Sequence, residues 1–218
     1  MKKITFLVFV VLFVVLFLLR QSPERQGKIV NVYPWQVEIV DKGATKVFGI
    51  TLNTSTLKDV NQRFNMAPSI ALYELKNERV LEAYYKNKSL GGLIGSFIIS
   101  LNANTEQLNK LQAASKKQER TKNREVKYLI GTKDVLLLNE IIVKNITYIP
   151  TVQLDEATII QRFGEPASKL KLKTKEKGWH YLYPEIGLDI IYKEEGKEVL
   201  QYVLPKNFNE WTASLRSH

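Results

Sequence analysis

The sequence predicts an α+β protein: two tandem repeats of a short helix plus an antiparallel β-sheet meander, after an N-terminal transmembrane helix. Three observations lead there. Short capped segments of helical period end at glycine or proline and give way to runs that alternate apolar and polar residues. Gln62-Arg63-Phe64 returns as Gln161-Arg162-Phe163, 99 residues further on, with Val60 falling on Ile159. Residues 4–19 are apolar throughout except for Thr5.

That apolar run follows Met1-Lys2-Lys3. As a helix its sixteen residues span about 24 Å, short of a ~30 Å hydrocarbon core. Lys3 and Arg20 close the gap by extending their charged ends to the interface. Residues 1–20 therefore read as an uncleaved signal-anchor. Lys2 and Lys3 hold the N-terminus in the cytoplasm, which predicts a single-pass inner-membrane protein with a periplasmic C-terminal domain. Cleavage and release to the periplasm is the alternative, but Arg20-Gln21-Ser22-Pro23 has no small-x-small pattern at the exit. Residues 21–28, polar with a proline and a glycine, form a tether.

The first repeat covers 29–118. Residues 29–32 and 35–40 alternate as strands do, Asp41-Lys42-Gly43 turns the chain, and 46–52 returns as a hairpin partner. Thr56 and Asp59 make a capping box for a helix with Leu57, Val60 and Phe64 on one face, stopped at 65–68. Strands follow at 70–75, 80–86 and 93–101, the last two joined by Gly91-Gly92. Asn104 and Gln107 cap a second helix, with Leu108 and Leu111 inward, running to about residue 118. Residues 119–125, rich in lysine and arginine, read as a solvated connector.

The second repeat covers 126–208. Strands are expected at 126–130 and 135–149. Asp155 caps a helix carrying Ile159, Ile160 and Phe163, and Gly164-Glu165-Pro166 ends it. Residues 168–174 alternate Lys169, Lys171 and Lys173 with Leu170 and Leu172. Strands at 179–183, 188–193 and 199–204 complete the unit, with 193–197 as a hairpin turn. Residues 209–218 form a tail with a helical turn around Trp211.

The segment 154–166, Leu-Asp-Glu-Ala-Thr-Ile-Ile-Gln-Arg-Phe-Gly-Glu-Pro, is followed by a strand holding Tyr181 and Tyr183 and then a hairpin. It resembles the SmpA/OmlA module, whose fold is related to that of the β-lactamase inhibitor protein. Members carry a helical segment ending in Phe/Leu-Gly-x-Pro ahead of an antiparallel sheet. The resemblance extends over 155–205 and more weakly over 56–101. It implies a location in the bacterial envelope. Members are typically lipoproteins, whereas this chain has no cysteine to carry the lipid. The chain also resembles bacterial envelope proteins with a Leu-Tyr-Pro…Gly-Leu-Asp pattern, here Leu182-Tyr183-Pro184 and Gly187-Leu188-Asp189; that likeness implies no activity.

Composition narrows the chemistry. Of 218 residues, 44% are hydrophobic and 25% charged, as in a globular protein. The absence of cysteine excludes disulfides, thiol nucleophiles and cysteine metal sites. Two histidines, one of them the last residue, are a thin basis for a metal site or a catalytic triad, and no phosphate-binding glycine loop is present. Neither a cofactor, a metal nor a catalytic residue is expected, and Asp189, Glu194 and Glu195 are read as structural or solvated. A formal charge of +10 favours anionic surfaces.

The candidate binding residues are aromatic and cationic. Alternation puts Trp179, Tyr181 and Tyr183 on one strand face, and Tyr84 and Tyr85 occupy the matching place in the first repeat. If that face is open, its composition suits a protein partner; packed under the helix, it is core. Lys169, Lys171 and Lys173 suit anionic lipid, or serve as a charged edge strand that blocks aggregation. The function expected is that of a non-enzymatic binding or scaffolding module that recognises an envelope protein through a sheet surface. An enzyme or binder acting on envelope glycan or lipid is the alternative. Nucleic-acid binding is not expected behind an export-type N-terminus.

Overall fold

The computed structural model describes residues 32–216 apart from 77, 116, 122–124 and 174–176. The apolar run 4–19, the tether 21–28 and most of the strand expected at 29–32 lie outside the described residues. Within them the protein is a mixed α+β structure in which every strand pair is antiparallel.

A small ribbon opens the described chain: β1 (Glu38–Val40), β2 (Ala44–Val47) and β3 (Ile50–Thr51). Its first turn falls at Asp41–Gly43 as expected, with Lys42 and Gly43 both at positive φ. Helix α1 (Leu57–Phe64) starts at the anticipated capping box. Thr56 Oγ1 accepts the Asp59 N–H at 3.3 Å and the Asp59 carboxylate accepts the Thr56 N–H at 2.8 Å. Strands β4 (Ser69–Glu74), β5 (Arg79–Leu90) and β6 (Leu93–Leu101) then form a meander. Gly91 and Gly92, at φ 56° and 84°, supply the two positive φ angles of a tight hairpin turn.

Helix α2 (Thr105–Ala114) begins at its Asn104–Gln107 box but stops before the expected residue 118. The chain then enters β7 (Lys117–Arg120), which pairs with β8 (Val126–Leu129). The connector read as solvated is thus the tip of a charged hairpin. Every residue of β7 is exposed, so no apolar period betrays it as a strand. β8 pairs in turn with β4, extending the sheet of the first half. The strand expected to start at 135 is also displaced. Thr132–Val135 is a helical turn, α3, Leu136–Leu138 continues as a 3₁₀ turn, and β9 (Val143–Pro150) begins later. Four consecutive apolar residues carry no period, so strand and helix are indistinguishable there.

Helix α4 (Glu156–Phe163) is capped by Asp155, whose Oδ1 accepts the Thr158 N–H at 2.7 Å, and ends at Gly164 with φ 80°. Strands β10 (Ser168–Lys171), β11 (Gly178–Tyr183), β12 (Leu188–Lys193) and β13 (Val199–Tyr202) come next, then helix α5 (Phe208–Arg216) where a single turn was expected. Ten strands share one sheet in the order β10-β11-β12-β13-β9-β6-β5-β4-β8-β7. The β6–β9 pair joins the meander of the first half to the strands of the second.

One face of this sheet carries the core. Its central rung runs Tyr85–Phe97–Tyr148–Leu200–Ile190–Tyr181 across six strands, all buried. Leu57, Val60 and Phe64 of α1 and Ile159 of α4 pack on the same side, together with Val47, Phe48 and Ile50 from the ribbon. Tyr85 donates to Asn61 Oδ1 at 2.6 Å and Tyr202 to the Pro34 carbonyl at 2.8 Å, so the buried hydroxyls are satisfied.

The two arginines of the Gln-Arg-Phe repeat both reach back to the segment ahead of α1. Arg63 Nε donates to the Phe48 carbonyl at 3.0 Å, and Phe48 is held in the left-handed region at φ 57°. Arg162 lies over the Trp35 ring, 4.8 Å from its centroid.

Glu198 is fully buried beside the loop between β9 and α4. Its Oε2 accepts the Leu154 N–H at 2.8 Å, while Oε1 has no hydrogen-bond partner among the described residues. Burial raises its pKa above the ordinary value near 4.5, more than that hydrogen bond lowers it. A carboxyl raised on folding stabilises the protein fully below its unfolded pKa and loses that contribution as pH rises through the folded one. Glu198→Gln keeps an acceptor for Leu154 and removes the charge. Denaturant titrations from pH 4 to pH 8 are expected to show wild-type stability falling relative to the variant, from about pH 4.5 upward. A constant offset between the two would exclude the buried charge as the cause.

Candidate functional site

The opposite face of the sheet is built from the alternate residues of the same strands. Its central rung runs Ser69–Tyr84–Ile98–Thr147–Gln201–Asp189–Leu182. Helix α5 covers only one end. There Leu182, Val203 and Phe208 form a small buried cluster, with Leu170, Trp211 and Leu215 packed around it. Over β4, β5, β6 and β9 the same face stays accessible: Ser69 and Tyr84 are exposed, and Glu82, Ile98, Ser100, Asn145, Thr147 and Gln201 are half-buried.

Two hollows lie on this open face and share Glu82. One, about 290 Å³, is lined by Ala71, Tyr73, Tyr84, Ile98 and Lys127. The other, about 330 Å³, is lined by Arg79, Ser100, Asn145, Thr147, Gln201 and Trp211. Burial raises the Glu82 carboxyl, Glu125 raises it further, and Lys127 opposes both. Burial, with Glu82 next, likewise raises the Tyr73 phenol. The Tyr84 hydroxyl donates to Ser96 Oγ at 3.3 Å. The face thus offers hydroxyls, amides and a carboxyl around an exposed tyrosine and a half-buried isoleucine.

The aromatic face expected from Trp179, Tyr181 and Tyr183 is not an open surface. Tyr181 and Tyr183 are buried in the core beneath α4, where Tyr183 donates to the Gly164 carbonyl at 2.9 Å and stacks obliquely on Phe163. Tyr85 is equally buried, against Phe64. Alternation placed these side chains on one face correctly, but the apolar face of each helix needed that surface for its own burial. Trp179 and Tyr84 keep 38% of their surface exposed. They lie on opposite faces, since the register sets Tyr84 in the rung of Leu182, so they form no common patch.

The lysines fall on an edge. β10 ends the ten-stranded sheet, and Lys169 and Lys171 are exposed on it. Lys169 is engaged within the protein, 2.9 Å from Glu156 Oε1 and over the Tyr181 ring at 4.7 Å. Lys173 is exposed just past the strand and takes part in an interaction of its own. His180 and Asp189 meet under α5, with Nδ1 3.0 Å from both carboxylate oxygens. Among the described residues no three His, Asp or Glu side chains come together as a metal site would require.

Sequence reasoning passed over Glu82, Ile98, Thr147, Gln201 and Trp211. The small polar residues alternating through Ser96–Ser100 and Asn145–Thr147 were the available signal. Only the strand order brings them onto one surface. Fold and face together define an open-faced antiparallel α+β protein. Comparison of the chain with family models, curated proteins and solved structures gives no match.

Proposed function

We propose that this protein is a non-enzymatic binding or scaffolding module, held at the inner membrane by residues 1–20 with its folded part in the periplasm. It recognises an envelope protein through the open face of its sheet. The observation that carries the reading is the uncovered stretch over β4, β5, β6 and β9, where polar groups surround Tyr84 and Ile98. Buried aromatic anchors ringed by polar groups are what protein interfaces use. Among the described residues no helix is long and apolar enough to cross a membrane, so the anchor rests on the sequence of residues 4–19.

The tandem-repeat reading belongs to this proposal. Its support is that α1 leads into β4-β5-β6 as α4 leads into β10-β11-β12, at the 99-residue spacing of Gln-Arg-Phe. In the sheet these two triplets lie on either side of the β13–β9 pair. The SmpA/OmlA resemblance is proposed on the same grounds. Glycan binding is the second reading, favoured by the hollow in which Trp211 stands beside Ser100, Asn145, Thr147 and Gln201.

A photo-crosslinking amino acid placed at Tyr84, Thr147 or Trp179 of the full chain in membranes separates these readings. Tyr84 and Thr147 are expected to crosslink the same envelope protein, and Ile98→Arg to reduce the yield at least about tenfold, as loss of an interface anchor does. Equal crosslinking from Trp179, or none from Tyr84 and Thr147, would overturn the proposal. A glycan adduct sensitive to Trp211→Ala would establish the second reading.

A further inference from the structure

We infer that the β5–β6 hairpin tip, with the loop after β9, is the surface of this protein that rests on an anionic lipid bilayer. The inference depends on the reading of residues 4–19 as a membrane anchor. Ile94, two residues past the turn, is 48% exposed, and Val152 is 56% exposed. They are neighbours, because the Thr151 N–H donates to the Ile94 carbonyl at 2.8 Å. Two aliphatic side chains exposed side by side at a loop end are a feature that burial in a bilayer interface explains. Lys86 and Lys88 lie on the same hairpin, Lys86 exposed and Lys88 half-buried, and no acidic residue occurs between Tyr84 and Leu101. Lysines near an anionic leaflet are attracted to it.

The position of the chain's entry identifies the occupant as lipid. The first described residues, Val32 and Tyr33, lie against Gly91 in this same turn: a Cβ on Gly91 would stand 2.6 Å from Val32 Cγ2 and 3.1 Å from the Tyr33 ring. Only residues 20–31 separate that point from the apolar run. A stretch of twelve residues reaches about 40 Å at most. The described chain thus begins beside this tip. The tip presents lysines and aliphatic side chains together, as the headgroup region requires. Leu137, 77% exposed, lies near the start of β9, at the end remote from this tip.

The absence of native cysteine makes each introduced one unique. The full chain would be reconstituted in phosphatidylcholine/phosphatidylglycerol vesicles with a polarity-sensitive dye at Ile94→Cys, Val152→Cys, Leu137→Cys or Val11→Cys. Quenching by spin-labelled lipid is the readout. Dyes at 94, 152 and 11 are expected to be quenched and the dye at 137 not. Lys86→Glu/Lys88→Glu is expected to weaken quenching at 94 at least about twofold. Quenching at 11 with none at 94 and 152, or as much at 137 as at 94, overturns the tip contact and leaves the anchor standing. A blue-shifted but unquenched dye at 94 overturns it in favour of a protein neighbour. No quenching at 11 overturns the anchor and the inference with it.

Discussion

Phe97→Ala is expected to destabilise the protein by about 3–5 kcal/mol, the range for losing a buried aromatic side chain. At this chain length that lowers the melting temperature by about 10 °C or more. Phe97 is 1% exposed and sits at the centre of an aromatic cluster. It meets Phe48 edge-on at 5.0 Å, Phe64 at 4.7 Å and Tyr148 at 4.8 Å, and Phe48 in turn meets Tyr202 at 5.8 Å. Those neighbours come from the ribbon, from α1, from β9 and from β13. Each is fixed by its own backbone pairing, so the walls cannot close on the space that alanine leaves, and the cavity penalty adds to the lost transfer energy. The adjacent Ile98 is the control. It points to the open face, and Ile98→Ala is expected to cost under about 1 kcal/mol. Equal losses from the two substitutions, measured by denaturant unfolding, would mean that the faces of β6 are wrongly assigned.

That contrast also shows where the sequence could be read and where it could not. The alternation through β11 correctly put Trp179, Tyr181 and Tyr183 on one face. The helix starts were legible because a cap is local chemistry: Thr56 with Asp59, Asn104 with Gln107, Asp155 with Thr158. Which face lies under a helix is a non-local matter. Trp179, Tyr181 and Tyr183 alternate identically whether they meet α4 or solvent. The open face went unrecognised for the same reason. Ile98, Thr147 and Gln201 lie 49 and 54 residues apart in sequence and become neighbours only through the β6–β9–β13 order. Strand β7 was hidden differently, since a strand exposed on both sides can be held by backbone hydrogen bonds alone.

The Leu-Tyr-Pro…Gly-Leu-Asp segment gives the second large effect, and its residues have structural work to do. Tyr183 ties β11 to the end of α4, and Pro184 opens a 3₁₀ turn. Gly187 closes that turn at φ 66° against the Val203 carbonyl, where a Cβ would clash. Asp189, 1% exposed, takes both oxygens to His180 Nδ1. Asp189→Ala leaves a buried imidazole nitrogen without its partner and is expected to cost about 1–3 kcal/mol, the range for stranding a buried polar group. Asp189→Asn retains an amide oxygen for Nδ1 and should lose about half as much. The double variant His180→Leu/Asp189→Leu removes both polar groups beneath α5 and is expected to recover most of the loss, because the Leu182, Val203 and Phe208 cluster beside it is apolar already. Recovery in the double variant, with crosslinking from Tyr84 unchanged, makes the pair a device of the fold. Stability restored but crosslinking lost would instead place His180 and Asp189 in the recognition of the partner, reached through α5 at the edge of the open face.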